Sequence, residues 1–238
     1  MRPSLVGVGV GPGDPELLTQ KAVTVLQDAD RVLAPTMAVD AMGRAEAIAR
    51  GALPDLRVER LVFAIAGDEA AQEEAHREAA RRVDECLALG ELVAFVTLGD
   101  PNVYSTFHHL AARVTELRPG IVVETVPGIM AFQELAARSG TVVLDGAERL
   151  HLVSAAGGAD VLDVPLADPD AAIVVYKGGR HLPALAERLE AAGRLEGAVF
   201  GELLGLPGER VAPLGEAAEG PATYLASVVV PPRRQPGR

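Results

Sequence analysis

The sequence predicts an α/β protein built from two α/β domains, residues 1–118 with a mostly parallel sheet and residues 119–238 with a mixed one. Three observations lead there. Over the first half, short runs rich in β-branched residues alternate with longer amphipathic segments, the pattern of a parallel sheet with crossover helices. Beyond residue 140 four apolar runs are accompanied by one clear helix, which argues for mixed strand directions. The length of 238 residues also exceeds an average single domain, and Pro119-Gly120 is the best break. The linker there is short, so the halves are expected to be tightly coupled.

The elements follow in chain order. Residues 4–10 read as a buried strand. Asp14-Pro15-Glu16 reads as an N-cap, a proline in the first helical turn and an acid beside it. The helix that follows carries Leu18, Ala22, Val25 and Leu26 on one face. Residues 31–34 form a short strand, 41–51 a helix and 57–63 a strand. Asp68 caps a long helix through about Leu89, whose apolar stripe is Ala75, Ala79, Val83, Cys86 and Leu87. Cys86 therefore reads as a small core residue. Residues 91–97 are a strongly apolar strand, 103–117 a helix ended by Arg118-Pro119-Gly120, and 121–125 a strand. Pro127-Gly128 turns the chain into a helix through Arg138. In the second half, 149–154, 171–176, 198–203 and 224–230 read as strands and 183–192 as a helix. The tail 231–238 is expected to fray.

Composition narrows the function. Hydrophobic residues are 49% and charged residues 23%, which argues against disorder. A net charge of -11 disfavours nucleic acid as the main partner, because neutralising phosphates needs excess Lys and Arg. The single cysteine excludes an intrachain disulfide and a cysteine-cluster zinc site. The five histidines show no H-E-x-x-H or comparable spacing, and adjacent His108 and His109 are expected to point to different helix faces, so no catalytic metal is expected. No signal peptide is visible and no apolar run reaches membrane-spanning length, so the expectation is a soluble, cytoplasmic protein without a membrane partner.

Five segments can carry chemistry. The first, Gly7 to Asp14, is glycine-rich after a strand, but the dinucleotide spacing G-x-G-x-x-G fails at Pro12 or at Asp14, depending on its start. The second, Thr97-Leu98-Gly99-Asp100-Pro101-Asn102-Val103-Tyr104, stands at the carboxyl end of a buried strand, where open α/β sheets place ligands. Asp100 there either accepts hydrogen bonds from a ligand or caps the next turn. The third is Pro127-Gly128-Ile129-Met130-Ala131. The fourth is Tyr176-Lys177-Gly178-Gly179-Arg180, with one of only two lysines and an arginine suited to bidentate carboxylate binding. The fifth, residues 202–210, taken alone reads as a loop between strands.

In this order and spacing the five segments resemble the tetrapyrrole (corrin/porphyrin) methyltransferase family, over essentially the whole chain. Within it the closest similarity is to members acting at the C-20 bridge carbon. This narrower resemblance rests on the stretch from Gly9 to Ala22, on Thr97 to Thr106, on Lys177-Gly178-Gly179-Arg180 and on Gly205 to Arg210. It implies two α/β domains with the methyl donor S-adenosylmethionine in the cleft between them, no metal, and usually a homodimer. Carried over by motif, the cofactor contacts are Pro12, Leu98, Gly99, Asp100, Val103, Met130, Ala131, Lys177 and Leu204. Met130, Lys177 and Leu204 differ from the residue types common at those positions. Asp100 and Tyr104 are the candidates for positioning or proton handling, and Arg180 for a carboxylate of the tetrapyrrole substrate. Arg31, Arg44 and Arg138, and the segment 35–44, are further candidates for the substrate trough. Other corrin positions, a cobalt-bearing substrate, diphthine synthesis, ribosomal RNA methylation and a non-catalytic small-molecule binder remain as alternatives.

Overall fold

The computed structural model describes residues 4–38, 40–63 and 69–234. The chain groups into two units, Met1–Met130 and Ala131–Arg238. In the first, β1 (Ser4–Gly9), β2 (Arg31–Thr36), β3 (Glu59–Val62), β4 (Leu92–Thr97) and β5 (Val122–Val126) form one sheet, ordered β3-β2-β4-β1-β5. Every neighbouring pair is parallel, as expected. All six residues of β1 are buried, and so the strand shows no polar–apolar alternation.

Helices α1 (Gln20–Asp28), α2 (Arg44–Ala52), α3 (Glu69–Ala88) and α4 (Phe107–Leu117) complete this unit. Leu5, Leu33, Phe95, Val83, Leu87 and Leu110 share its core, with Cys86 buried among them as its place in the stripe required. A Cβ on Gly7 would lie 2.5 Å from the Phe107 ring, so the bare strand backbone is what lets α4 settle onto β1. The chain leaves β2 toward β3 on one side, and from its neighbour β4 it leaves toward β5 on the other. Adjacent strands whose connections diverge open a crevice at their carboxyl ends.

Two helix starts differ from expectation. Asp14 caps only a 3₁₀ turn, Pro15–Leu17, accepting from the Glu16 N–H at 2.9 Å. Leu18 is extended, and α1 begins afresh at Gln20 with Thr19 as its cap, accepting from the Ala22 N–H at 3.1 Å. The helix expected from residue 103 begins at Phe107. Tyr104 is left-handed at φ 49°, which no helix accommodates, and the Ser105 hydroxyl accepts from the Phe107 N–H at 3.1 Å. Asp68, expected to cap α3, lies outside the described residues, as do 235–238 of the tail.

In the second unit β6 (Arg149–Ser154), β7 (Ala171–Tyr176), β8 (Val199–Glu202), β9 (Arg210–Pro213) and β10 (Ala226–Val230) are ordered β6-β7-β10-β8-β9. The β6–β7 pair is parallel and the other three are antiparallel, the expected mixed sheet. Its helices are α5 (Ala131–Ser139), α6 (Asp163–Leu166), α7 (Leu182–Ala191) and α8 (Leu214–Ala217). Ile173, Val175, Leu185, Leu189, Phe200 and Val228 form the core. Strand β9 was not expected: it is four residues long, half-exposed and ends in proline, so it carries little strand signal. The first residues of the tail are tied down, since Arg234 holds Glu148 at 2.8 and 2.9 Å and Arg233 donates to the Ala192 carbonyl. The break expected at Pro119-Gly120 precedes β5, which pairs with β1 in the first sheet, and the two units divide after Met130.

Candidate functional site

Three of the five segments meet at the carboxyl end of the first sheet. The loop after β1 and the loop after β4 are bonded, Gly99 N–H to the Gly11 carbonyl at 2.8 Å and Val10 N–H to the Thr97 carbonyl at 2.9 Å. The loop after β5 joins them through glycine contacts. A Cβ on Gly128 would stand 2.0 Å from the Gly99 oxygen and 2.9 Å from Gly9 Cα, and a Cβ on Gly9 would stand 2.4 Å from that oxygen. Only glycine at both positions allows three backbones to approach this closely. Gly99 is different. At φ 61° it is left-handed, and the nearest atoms to its absent Cβ, the Ile129 oxygen and Met130 Cα, are 4.0 Å away. A side chain there would fill the space over the 129–130 turn, so the glycine keeps a cradle open.

Asp100 caps its turn and also bonds to the neighbouring loop. One carboxylate oxygen accepts from the Asn102 N–H at 2.8 Å and caps the turn; the other accepts from the Gly128 N–H at 3.2 Å and ties the second segment to the third. Asn102 adds a bond from its amide to the Thr125 hydroxyl at 3.2 Å. A carboxylate has about four acceptor sites, so Asp100 retains capacity for a ligand. Pro12 is buried; Leu98, Val103 and Met130 are half-buried around the same loops. Tyr104 is 44% exposed. Below it the Ser105 hydroxyl pairs with the buried Thr97 hydroxyl at 2.9 Å, which fixes the turn that presents the phenol.

The second unit gathers the remaining segments around the ends of β7 and β8. Ala131 opens α5, and the Phe132 N–H beside it donates to the Tyr176 hydroxyl at 3.1 Å. Lys177 is left-handed at φ 59°, with its ammonium 5.8 Å from the Tyr224 ring centroid. Gly179 packs against the 222–223 backbone, where a Cβ would lie 2.0 Å from the Thr223 oxygen. Leu203 is left-handed at φ 53° and Leu204 is buried behind it. Glu202, 9% exposed, accepts from the Thr223 N–H at 2.9 Å and pairs with Arg210 at 3.2 Å, binding the fourth and fifth segments to one loop. Sequence reading missed Tyr224 and Thr223. They lie in a turn without periodicity, and only the three-dimensional return of β10 beside β7 brings them to Lys177.

Among the described residues, the left-handed non-glycine residues are Tyr104, Lys177 and Leu203, one in each of the second, fourth and fifth segments. Each such residue costs about 1–2 kcal/mol, and strain of this kind concentrates at ligand sites. The arginine candidates also separate. Arg31 is bound to Glu91 at 2.8 Å, and Arg138 to Glu134 and, at 2.9 Å, to Glu209. Arg180 and Arg44 are exposed and have no carboxylate partner among the described residues. His108 and His109 do not diverge as expected. Successive helix positions turn by only about 100°, and the two rings lie 3.7 Å apart with His76 of α3 a further 6.2 Å from His109. Among the described residues no group of three or more metal-ligating side chains converges, and no helix is long and apolar enough to cross a membrane.

Comparison with known proteins follows the same lines. Residues 4–218 match the family model described as Tetrapyrrole (Corrin/Porphyrin) Methylases. A Sinorhizobium sp. protein named Precorrin-2 C(20)-methyltransferase is 35% identical over 236 residues, covering 95% of this chain and 94% of that protein. Cobalamin biosynthesis protein CobIJ of Mycobacterium tuberculosis is 34% identical over 247 residues, which cover 98% of this chain but 47% of CobIJ. In fold, the crystal structure of a cobalamin synthesis related protein, CobF, from Corynebacterium diphtheriae superposes with a TM-score of 0.73 at 18% identity, covering 97% of this chain and 99% of that one. The two-unit fold, the crevice loops and the match over residues 4–218 together identify the chain as a member of the tetrapyrrole (corrin/porphyrin) methylase family.

Proposed function

We propose that this chain transfers the methyl group of S-adenosylmethionine to C-20 of precorrin-2 in corrin biosynthesis. The observation that carries the reading is the end-to-end similarity to the Sinorhizobium relative of that name. The residues fit the cofactor: the space over Gly99 and the glycine-lined convergence of three loops suit a ligand that needs close backbone approach. Pro12, Leu98, Gly99, Asp100, Val103 and Met130 would hold it in the first unit, and Ala131, Lys177 and Leu204 are assigned to the same ligand by motif. When bound, S-adenosylmethionine supplies an electrophilic sulfonium methyl.

The chain's own task is then orientation. Holding two reactants at near-attack distance supplies most of the acceleration such a transfer needs. Asp100 keeps the second and third segments in register, and Tyr104 stands exposed at the rim, where a phenol can orient the ring or relay the C-20 proton to water. An acidic protein that binds a polycarboxylate must concentrate cations locally. Arg180, exposed and without a carboxylate partner, is the residue we assign to a substrate carboxylate. The reading includes a homodimer working in the cytoplasm without a resident metal.

Incubation with precorrin-2 and S-adenosylmethionine tests it. The expected product is heavier by one methyl, placed at C-20 by NMR. Methylation at another carbon, or turnover only with the cobalt-bearing substrate, would replace the assignment within the family; bound cofactor without any turnover would point to a non-catalytic binder.

A further inference from the structure

Four methionines occur in the chain, and the three beyond Met1 all lie on loops at the carboxyl end of the first sheet: Met37 and Met42 after β2, Met130 after β5. Met37 is 65% exposed and Met42 52% exposed. The described residues of their loop are held by hydrogen bonds. The buried Thr36 hydroxyl stands 2.8 Å from the Ala38 carbonyl and 2.7 Å from the Ala41 carbonyl, and accepts from the Ala38 N–H at 3.3 Å. Gly43 closes the loop on its own start, where a Cβ would lie 2.4 Å from the Pro35 oxygen. The thioethers are thus displayed from a fixed base.

Register sets the loop beside the candidate site. Strands β2 and β4 are neighbours in the parallel sheet, paired as far as Leu33 with Phe95, so the methionine loop and the loop carrying Asp100 and Tyr104 leave adjacent carboxyl ends. Arg44 follows at the first position of α2, exposed and without a carboxylate partner among the described residues. Polarisable, flexible thioethers beside a single unmatched cation suit a flat, partly conjugated ring with carboxylate arms, and such side chains adapt to a planar face better than branched ones.

We propose that Met37 and Met42 are the apolar seat for the face of the tetrapyrrole ring and that Arg44 receives one of its peripheral carboxylates. This rests on the tetrapyrrole reading and names the part of the chain that recognises the ring. The paired substitutions Met37→Gln and Met42→Gln are at exposed positions and leave the loop's hydrogen bonds intact. Absorbance titration with precorrin-2 in the presence of S-adenosylhomocysteine is expected to show a Kd at least tenfold weaker, and steady-state turnover a similar rise in KM with kcat within about twofold. The paired leucine replacements restore both values, and the S-adenosylhomocysteine Kd is unchanged throughout.

A Kd for precorrin-2 that does not move in the glutamine variant overturns the seat, whether or not the wild type methylates C-20. So does a shift in the monomer–dimer equilibrium without any change in ring affinity, which would make the methionines a contact between copies. Wild-type protein that binds the ring but methylates elsewhere removes the C-20 assignment and leaves the seat standing. Wild-type protein that binds no tetrapyrrole overturns both.

Discussion

Gly128→Ala probes the meeting of the three loops most sharply. The added methyl would sit 2.0 Å from the Gly99 oxygen and 2.9 Å from Gly9 Cα, and both neighbours are backbone rather than side-chain ends that can swing away. Overpacking of this kind costs about 1–3 kcal/mol, and a main-chain clash on two sides belongs at the upper end. For a unit of this size about 3 kcal/mol corresponds to a fall in Tm of about 10 °C. Relief requires the 127–130 loop to lift from the Gly99 loop, which opens the cradle and breaks the Gly128-to-Asp100 bond. Affinity for S-adenosylhomocysteine should therefore fall at least tenfold by titration calorimetry, equivalent to about 1.4 kcal/mol. Gly120→Ala is the matched control: at φ 85° it is strained but meets nothing within 4 Å. It should cost about 1–2 kcal/mol and leave cofactor affinity alone. Equal Tm losses for the two variants with equal, unchanged affinities would refute the loop convergence as the basis of the site.

Other expectations follow from the same geometry. Asp100→Ala removes both the Asn102 and Gly128 bonds and should weaken S-adenosylhomocysteine binding about tenfold, whereas Asp100→Asn, which retains one acceptor for Asn102, should recover part of the lost thermal stability; melts and affinities unchanged from wild type in both variants would make Asp100 a bystander. Arg180→Ala should raise the tetrapyrrole KM about tenfold with unchanged cofactor Kd, and an unmoved KM would leave it a surface cation. The pKa of His109 is held below its ordinary value by loss of solvation and by His108, His76 and Arg113. A folded value below the unfolded one means that the stability is complete above about pH 6.5 and is lost as pH falls through the folded value. Melts of His109→Gln should lose that acid-side slope, and a slope identical to wild type would assign it to other groups.

Much of the fold was legible because buried parallel strands are written as uninterrupted apolar runs, as in residues 4–9 and 92–97. Helix starts were harder. The signal Asp14-Pro15-Glu16 is chemically correct for a cap, yet Leu18 leaves the helical region and Thr19 caps again five residues on. Strand β9 escaped because an edge strand of four half-exposed residues need not alternate or be apolar. Within the site, the glycine and aspartate positions were readable as turns, but the reason they are glycines was not. Gly9 and Gly128 are small because they face one carbonyl oxygen from two other loops, a relation between residues 29 to 119 positions apart. The ion pairs that occupy Arg31 and Arg138 are likewise partners that only folding supplies; composition counts every arginine alike.

Hydrogen exchange read by mass spectrometry, with and without S-adenosylhomocysteine, tests most directly whether the loops at the carboxyl end of the first sheet hold the methyl donor. Peptides spanning residues 9–13, 98–104 and 127–131 are expected to gain protection on binding. Binding that leaves these three stretches unprotected, or that protects other parts of the chain instead, would contradict the assignment of the site.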